Sequence, residues 1–183
     1  MAAKKYTVGT TGPSIDAFLR AIVKNAGFQL QWVIEAAEAL HPDIENPDVI
    51  VRFSGRDVDL LLSNKAELLL ALEQLTMEML RMAQDEHSML QFDANDYRAL
   101  RIKELRLSAL TAAEKVKKSH MPFHFSPMTS RERRIIHLTL RNEPAVRSES
   151  AGMGHHRQVV IYPADMPSVP GNSPAPFRPR GRR

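Results

Sequence analysis

"TSRERRIIHLTLRN", residues 129–142, carries the pattern from which the rest of this 183-residue chain can be read. Thr129 or Ser130 fits an N-cap, because a short hydroxyl side chain accepts the free N–H groups of a first helical turn. Glu132 then falls where a negative charge suits the helix dipole. Arg133 and His137 are four residues apart and share one face of that helix, while Ile135, Ile136, Leu138 and Leu140 fill the others. A guanidinium fork beside an imidazole can hold a backbone phosphate, the His through a ring N–H or a stacked base. The plainer reading of the same spacing is a half-buried histidine packed on a small sheet, with the arginines merely solvating the helix.

Working outward, "MPFHFSPM" (121–128) is too broken by proline for a helix and reads as a strand leading into a turn. "AVRSES" (145–150) and "HRQVVIYP" (156–163) alternate like strands around the glycine-bearing "AGMG". Upstream, residues 95–118 lack Pro and Gly and are dense in good helix formers, with Tyr97, Leu100, Leu107, Leu110 and Ala113 as an apolar stripe; this predicts a long helix joining two modules. Earlier still, "SIDAFLRAIVKNAG" (14–27) is an amphipathic helix with a capping serine and Gly27 as its stop. "LQWVIEA" (30–36) and "DVIVRFSG" (48–55) are strands separated by the turn-rich "HPDIENP", a helical pattern runs from about 66 to 84, and "SMLQFDA" (88–94) is a third strand. The first half is therefore α-β-β-α-β, with a short α turn near Asp57. Beyond Pro163 the composition is Pro, Gly, Ser and Arg, and a disordered cationic tail is expected over 164–183.

Charge divides along the same line. Residues 14–95 hold 6 Lys and Arg against 14 Asp and Glu, a balance of −8, whereas residues 96–183 hold 17 against 7, a balance of +10. Affinity for a polyanion is therefore expected in the second half. With no cysteine, disulfides and thiolate metal sites are excluded and a reducing, cytoplasmic setting fits. No stretch is apolar enough for a membrane span. Catalytic signals are sparse: there is no Gly-x-Ser-x-Gly elbow, Walker loop or dinucleotide fingerprint. Among the seven histidines, Pro122 breaks the helix that would pair His120 with His124, and His155 and His156 are adjacent, so their side chains diverge. Asp57 is expected to cap the turn after Gly55 rather than to pair with Asp59 in a cleft. The reading is of a protein that is not an enzyme and needs no metal or cofactor.

The motifs add up to a resemblance. Pro127, Met128, Glu132, Arg133, Arg134, His137, Ser150, Gly152 and Arg157 match the C-terminal domain of the bacterial Jag (SpoIIIJ-associated) family, with its Arg-x-x-x-His helix, Ser-x-Gly turn and terminal Val-Val-Ile strand. "FDANDYRALRIKEL" is similar to that family's Asp-x-x-x-Tyr-Arg linker, and "FSGRDVDLLLSNKAELLLALEQL" to its type II KH domain. The resemblance implies an α+β protein: a type II KH-like domain over 14–94, a linking helix over 95–118, a small α/β Arg-x-x-x-His domain over 120–163, and the basic tail. It implies cytoplasmic binding of single-stranded RNA, or of single-stranded DNA, in cell-envelope growth and division. The implied protein partner is a second copy or a small single-domain KH protein.

Two departures qualify it. Members usually begin with a small extra N-terminal domain, for which the 13 residues before the first expected helix leave no room. The Gly-x-x-Gly loop of the KH domain falls on Ser63, Asn64, Lys65 and Ala66, so both glycines are replaced. A KH loop grips RNA because bare backbone approaches the phosphates. Here two Cβ atoms intrude, only Lys65 is cationic, and Asn64 with Glu67 resembles a capping box. A KH fold kept as a scaffold or pairing surface is expected. The expected contacts are Arg133 and His137 on phosphate or base, Arg134, Arg141 and Arg157 widening the basic face, and Lys65 from the loop. Arg178, Arg180, Arg182 and Arg183 add loose attraction. The competing reading is an interaction scaffold with vestigial RNA binding.

Overall fold

The two β-branched runs and the segment 90–94 form one sheet, built on the alternation that the sequence shows. The computed structural model describes residues 5–37 and 46–167; the expected "HPDIENP" turn up to residue 45, and the tail from residue 168, lie outside the described residues. The chain divides into two compact units, residues 1–100 and 101–183. In the first, α1 (Val8–Ala26), β1 (Leu30–Ala36), β2 (Val49–Gly55), α2 (Val58–Met79) and β3 (Leu90–Ala94) follow in order. β1 pairs antiparallel with β2, and β2 pairs parallel with β3. Because α2 is broken in its middle, the order is α-β-β-α-α-β, that of a type II KH-like domain. Ile15, Leu19, Val51, Phe53, Leu69 and Phe92 fill its core.

α1 begins well before the expected start. Thr7, not Ser14, is the N-cap, and a reciprocal pair of bonds with Thr10 satisfies the first turn, which lets the helix run through Pro13. Gly27 ends it at φ 71, as its lack of a Cβ allows. Asp57 does stand at the N-cap of α2, but its carboxylate accepts instead from the Gln29 N–H at 2.7 Å.

The break in α2 falls on the four loop positions. Asn64, Lys65 and Ala66 all have positive φ (51, 62 and 60). An N-cap needs extended backbone, so the expected Asn64–Glu67 capping box does not form. Ala66 is fully buried and its methyl joins the core, so it does not obstruct the outer surface. Ser63 is exposed and its hydroxyl donates to the Asp59 carbonyl.

β3 is an edge strand, yet all five of its residues are buried. The Phe92 N–H donates to the Glu73 carboxylate at 2.7 Å, and the Phe92 carbonyl accepts from Arg98 Nε at 2.7 Å. Arg98 also pairs with Glu73, and its own N–H donates to Asp93. The Asp-x-x-x-Tyr-Arg motif thus seals an edge that would otherwise offer unpaired backbone groups. Tyr97 completes it by donating its hydroxyl to the Lys65 carbonyl at 2.9 Å.

In the second unit, α3 (Tyr97–Ser119, entering from the first), β4 (Phe123–His124), α4 (Ser130–Thr139), β5 (Val146–Ala151) and β6 (Gln158–Pro163) follow, with sheet order β4-β6-β5, all antiparallel. From Arg101 onward α3 belongs to this unit rather than standing as a separate link: Arg101 pairs with Glu132 and Lys117 with Glu143. Residues 164–167 are folded, contrary to the expected start of disorder. The Ala164 N–H donates to the Ala145 carbonyl, and Met166 packs on Ala151, Val160 and Tyr162. Among the described residues no helix is long and apolar enough to cross a membrane.

The sealed edge is testable. Arg98→Ala removes the cation from a buried carboxylate and is expected to destabilise the first unit by about 3–5 kcal/mol. Urea unfolding followed by the fluorescence of Trp32, the single tryptophan, reads it directly; an unchanged midpoint would show that the network contributes nothing.

Candidate nucleic-acid interface

α4 is short, so its ends decide where its side chains point. Thr129 caps it, accepting from the Glu132 N–H, while the Glu132 carboxylate accepts the Thr129 N–H at 2.9 Å. The other oxygen of Glu132 accepts from Arg101 Nε at 2.8 Å, which fixes the first turn of α4 to α3. Ile135 and Ile136 are buried, and the helix packs against β5 and β6. The half-buried stripe beside Ile136, which also faces β5, carries Arg133 and His137.

β5 supplies the complement. In a strand successive side chains alternate, so Ser148 and Ser150 share one face, and Arg147 and Glu149 the other. His137 meets both serines: Nδ1 lies 2.7 Å from Ser148 Oγ, and Nε2 lies 3.0 Å from Ser150 Oγ. Arg133 Nη1 donates to Ser150 Oγ at 2.9 Å, and Nη2 to Ser130 Oγ at 2.6 Å. One arrangement of protons satisfies the set: Ser150 accepts from Arg133 and donates to Nε2, while Nδ1–H donates to Ser148. The other tautomer, with Nε2–H donating to Ser150 and Nδ1 accepting from Ser148, satisfies it as well, and it is the lowered pKa that favours a neutral His137. Burial first, and the charge of Arg133 second, lower its pKa below the ordinary 6.5.

Arg133 is itself crowded. Burial, and then the charge of Arg157, lower its pKa from the usual guanidinium value. Arg157 reaches this place because of the turn before it. Gly152 has φ +86, and a Cβ there would lie 2.6 Å from the His156 carbonyl oxygen, so only glycine allows the chain to fold back this tightly. The Arg157 carbonyl accepts from the Met128 N–H, pinning the other side. The Nε–H groups of Arg133 and Arg157 are both buried and have no hydrogen-bond partner among the described residues. The like charges and the unmet buried donors both cost free energy in this arrangement.

Of the expected site residues, Arg133, His137 and Arg157 come together. Arg134 is exposed on α4 and Arg141 is exposed just past its end; neither side chain makes a hydrogen bond or ion pair among the described residues. Lys65 belongs to the first unit and is exposed at the broken turn of α2. Arg147 has a structural task on the far face of β5. It stacks on Tyr162 at 4.5 Å, pairs with Glu149 and donates to the Met166 carbonyl. Sequence reasoning missed Ser130 and Ser148 and gave Ser150 no role in the site. The alternation in "VRSES" held the signal for the strand pair, since it sets the serines on one side and the charges on the other. Among the described residues no cluster of three or more His, Cys, Asp or Glu could hold a metal ion.

Residues 103–163 match the family model of the R-3-H domain, the module of the Arg-x-x-x-His motif. Over 144 residues the chain is 31% identical to the RNA-binding protein KhpB of Bacillus subtilis, covering 76% of this chain and 69% of that protein. The chain belongs to this family, the Jag proteins. Two further members are KhpB of Clostridium symbiosum, 30% identical over 111 residues (61% of this chain, 50% of that one), and KhpB of Lactiplantibacillus plantarum, 27% identical over 161 residues (88% and 48%). The chain spans about half the length of these two. The domain match takes in most of α3, in agreement with its bonds to α4 and the following turn.

The neutral His137 gives a pH signature. Its folded pKa is depressed, so the unfolded chain takes up the proton first as the pH falls. The residue's contribution to stability is full above about pH 6.5 and is lost as the pH drops through the folded value. Urea midpoints followed by circular dichroism should therefore fall more steeply below pH 6.5 in the native chain than in His137→Asn; parallel curves would mean that the imidazole is not held neutral.

Proposed function

We propose that the chain is a single-stranded RNA-binding regulatory protein whose contact is made mainly by the second unit, through Arg133, His137 and Arg157. The observation that carries this is the pair of buried, partnerless Nε–H groups, among the described residues, on two guanidiniums that repel one another. A phosphate held by the two guanidiniums would neutralise both and relieve their repulsion. His137, held at the end of the Arg133–Ser150 chain, presents a ring for stacking or a contact to ribose. Arg134 and Arg141 add charge around it, and Lys65 is the cation left at the loop of the first unit. Single-stranded DNA offers the same phosphates. The KhpB relatives carry RNA binding in their names, and the domain match covers Arg133, His137 and Arg157. The process served, on the family resemblance, is cell-envelope growth or division in the cytoplasm.

A second reading concerns the first unit. Its loop backbone is already engaged, because the Lys65 carbonyl is taken by Tyr97. Its sheet is sealed at β3, while among the described residues no strand pairs with the outer edge of β1, where Val33 is 61% exposed. This favours the KH-like unit as a pairing surface for a second copy or a small KH protein.

Fluorescence anisotropy of a labelled single-stranded RNA across salt concentrations tests the main reading. The intact chain should bind with a linear log–log salt dependence. Arg133→Ala should weaken binding and reduce the slope by about 0.7, the share of one phosphate on a single strand. Binding that survives Arg133→Ala with His137→Ala but disappears on truncation after Met166 would transfer the activity to the tail and leave the scaffold reading standing.

A further inference from the structure

The second unit has another concave surface, away from Arg133 and His137. An open groove of about 480 Å³ runs between α3 and the β4 edge. Leu107, Thr111 and Lys115, every fourth residue of α3, form one wall. Phe123 and Phe125 form the other, edge to face with their centroids 5.1 Å apart, and both are only partly buried. Lys115 Nζ sits 5.5 Å from the Phe123 ring centroid.

Two half-open aromatic rings beside an unburied hydrophobic residue, Leu107 at 68% exposure, leave apolar surface in water without visible gain to the fold. The chemistry of the rest of the groove narrows what would cover it. Its polar lining residues are Ser108, Thr111, Ser126, Lys115 and His124, and none of its lining residues is acidic. Glu114, the nearest carboxylate in sequence to Lys115, is engaged by Lys117. A flat, π-faced, hydrogen-bonding group attached to a negative charge fits rings, hydroxyls and cation together; a purely aliphatic partner would leave the lysine and hydroxyls unmet.

The register relates this groove to the first site. Phe123 and Ser148 both pair with Ile161, from opposite sides of β6, so they lie in one row on the same face of the sheet. Their strands are two spacings apart, about 10 Å. The groove and the Arg133–His137 cluster are thus at opposite edges of one small sheet, within reach of a single flexible strand.

We propose that the groove between α3 and β4 is a second subsite for the same single-stranded nucleic acid, in which a base stacks on Phe123 or Phe125 and Lys115 takes the adjoining phosphate. This rests on the RNA-binding reading above. Stacking on exposed aromatics tolerates any base, so the subsite would lengthen the footprint without adding sequence preference.

The test uses the full chain and uridine oligomers of increasing length. Phe125→Leu and Lys115→Glu should each weaken binding of long oligomers about fivefold or more, the lower end of what a stacked base contributes, and leave the shortest oligomers unaffected. Phe125→Trp should restore binding, which a merely structural role for the ring would not predict. Lys115 is exposed, so its variant folds even if a phenylalanine variant does not. Oligomers carrying 5-iodouridine should photocrosslink to the peptide holding Phe123 and Phe125. If Lys115→Glu and Phe125→Leu bind every length normally and no crosslink maps there, while Arg133→Ala still weakens binding, the groove is not a subsite and the RNA reading survives. If the native chain binds no RNA at all, both fall.

Discussion

Ser150 holds the second unit's chemistry in place through one hydroxyl. It accepts from Arg133 and lies against His137, so an oxygen on β5 orients both side chains of the Arg-x-x-x-His pair on α4. Everything around it serves that position. The Thr129–Glu132 cap and the Arg101 pair fix where α4 starts, the buried Ile135 and Ile136 set its rotation, and the alternation of β5 aims Ser148 and Ser150 at it. The cost of the arrangement is electrostatic. Burial depresses both the imidazole and the guanidinium, and Arg157 adds a like charge through a turn that only Gly152 permits. An arrangement of this kind, with like charges and unmet donors, is strained as it stands.

The first unit shows the opposite economy. Where the second leaves donors idle, the first consumes them: Glu73 and Arg98 occupy both backbone groups of Phe92, and Tyr97 takes the carbonyl of Lys65. The Asp-x-x-x-Tyr-Arg motif, which in sequence looks like a linker, is therefore a clasp on this unit's own edge and loop. Three successive residues at positive φ without a glycine hold the loop in a backbone region that L side chains rarely adopt. Ala66 manages this by turning its methyl into the core.

Much of the fold could be read in one dimension because it depends on periodicity. The i,i+4 spacing placed Arg133 and His137 together, alternation marked the strand segments, and Gly27 stopped α1 where predicted. Boundaries failed where a local reading met a competing bond. Ser14 looked like the cap of α1, yet the Thr7–Thr10 box starts the helix seven residues earlier and it runs through Pro13. Asn64 looked like a cap, yet its backbone is left-handed. Asp57 stood at the right position and bonded elsewhere.

The sequence by itself determined the element types, the acidic-to-basic division and the Arg-x-x-x-His pair, because composition and spacing along one element act at short range. Which arginine does what was decided only by tertiary structure. Arg147 and Arg157 are chemically equivalent in the sequence; strand register sends one to Tyr162 and Met166, and a glycine turn brings the other beside Arg133. The partners of His137 were likewise invisible, since two serines 11 and 13 residues away become neighbours only when β5 packs under α4. Burial, like-charge repulsion and unmet donors are properties of surroundings, and the chain acquires surroundings only by folding.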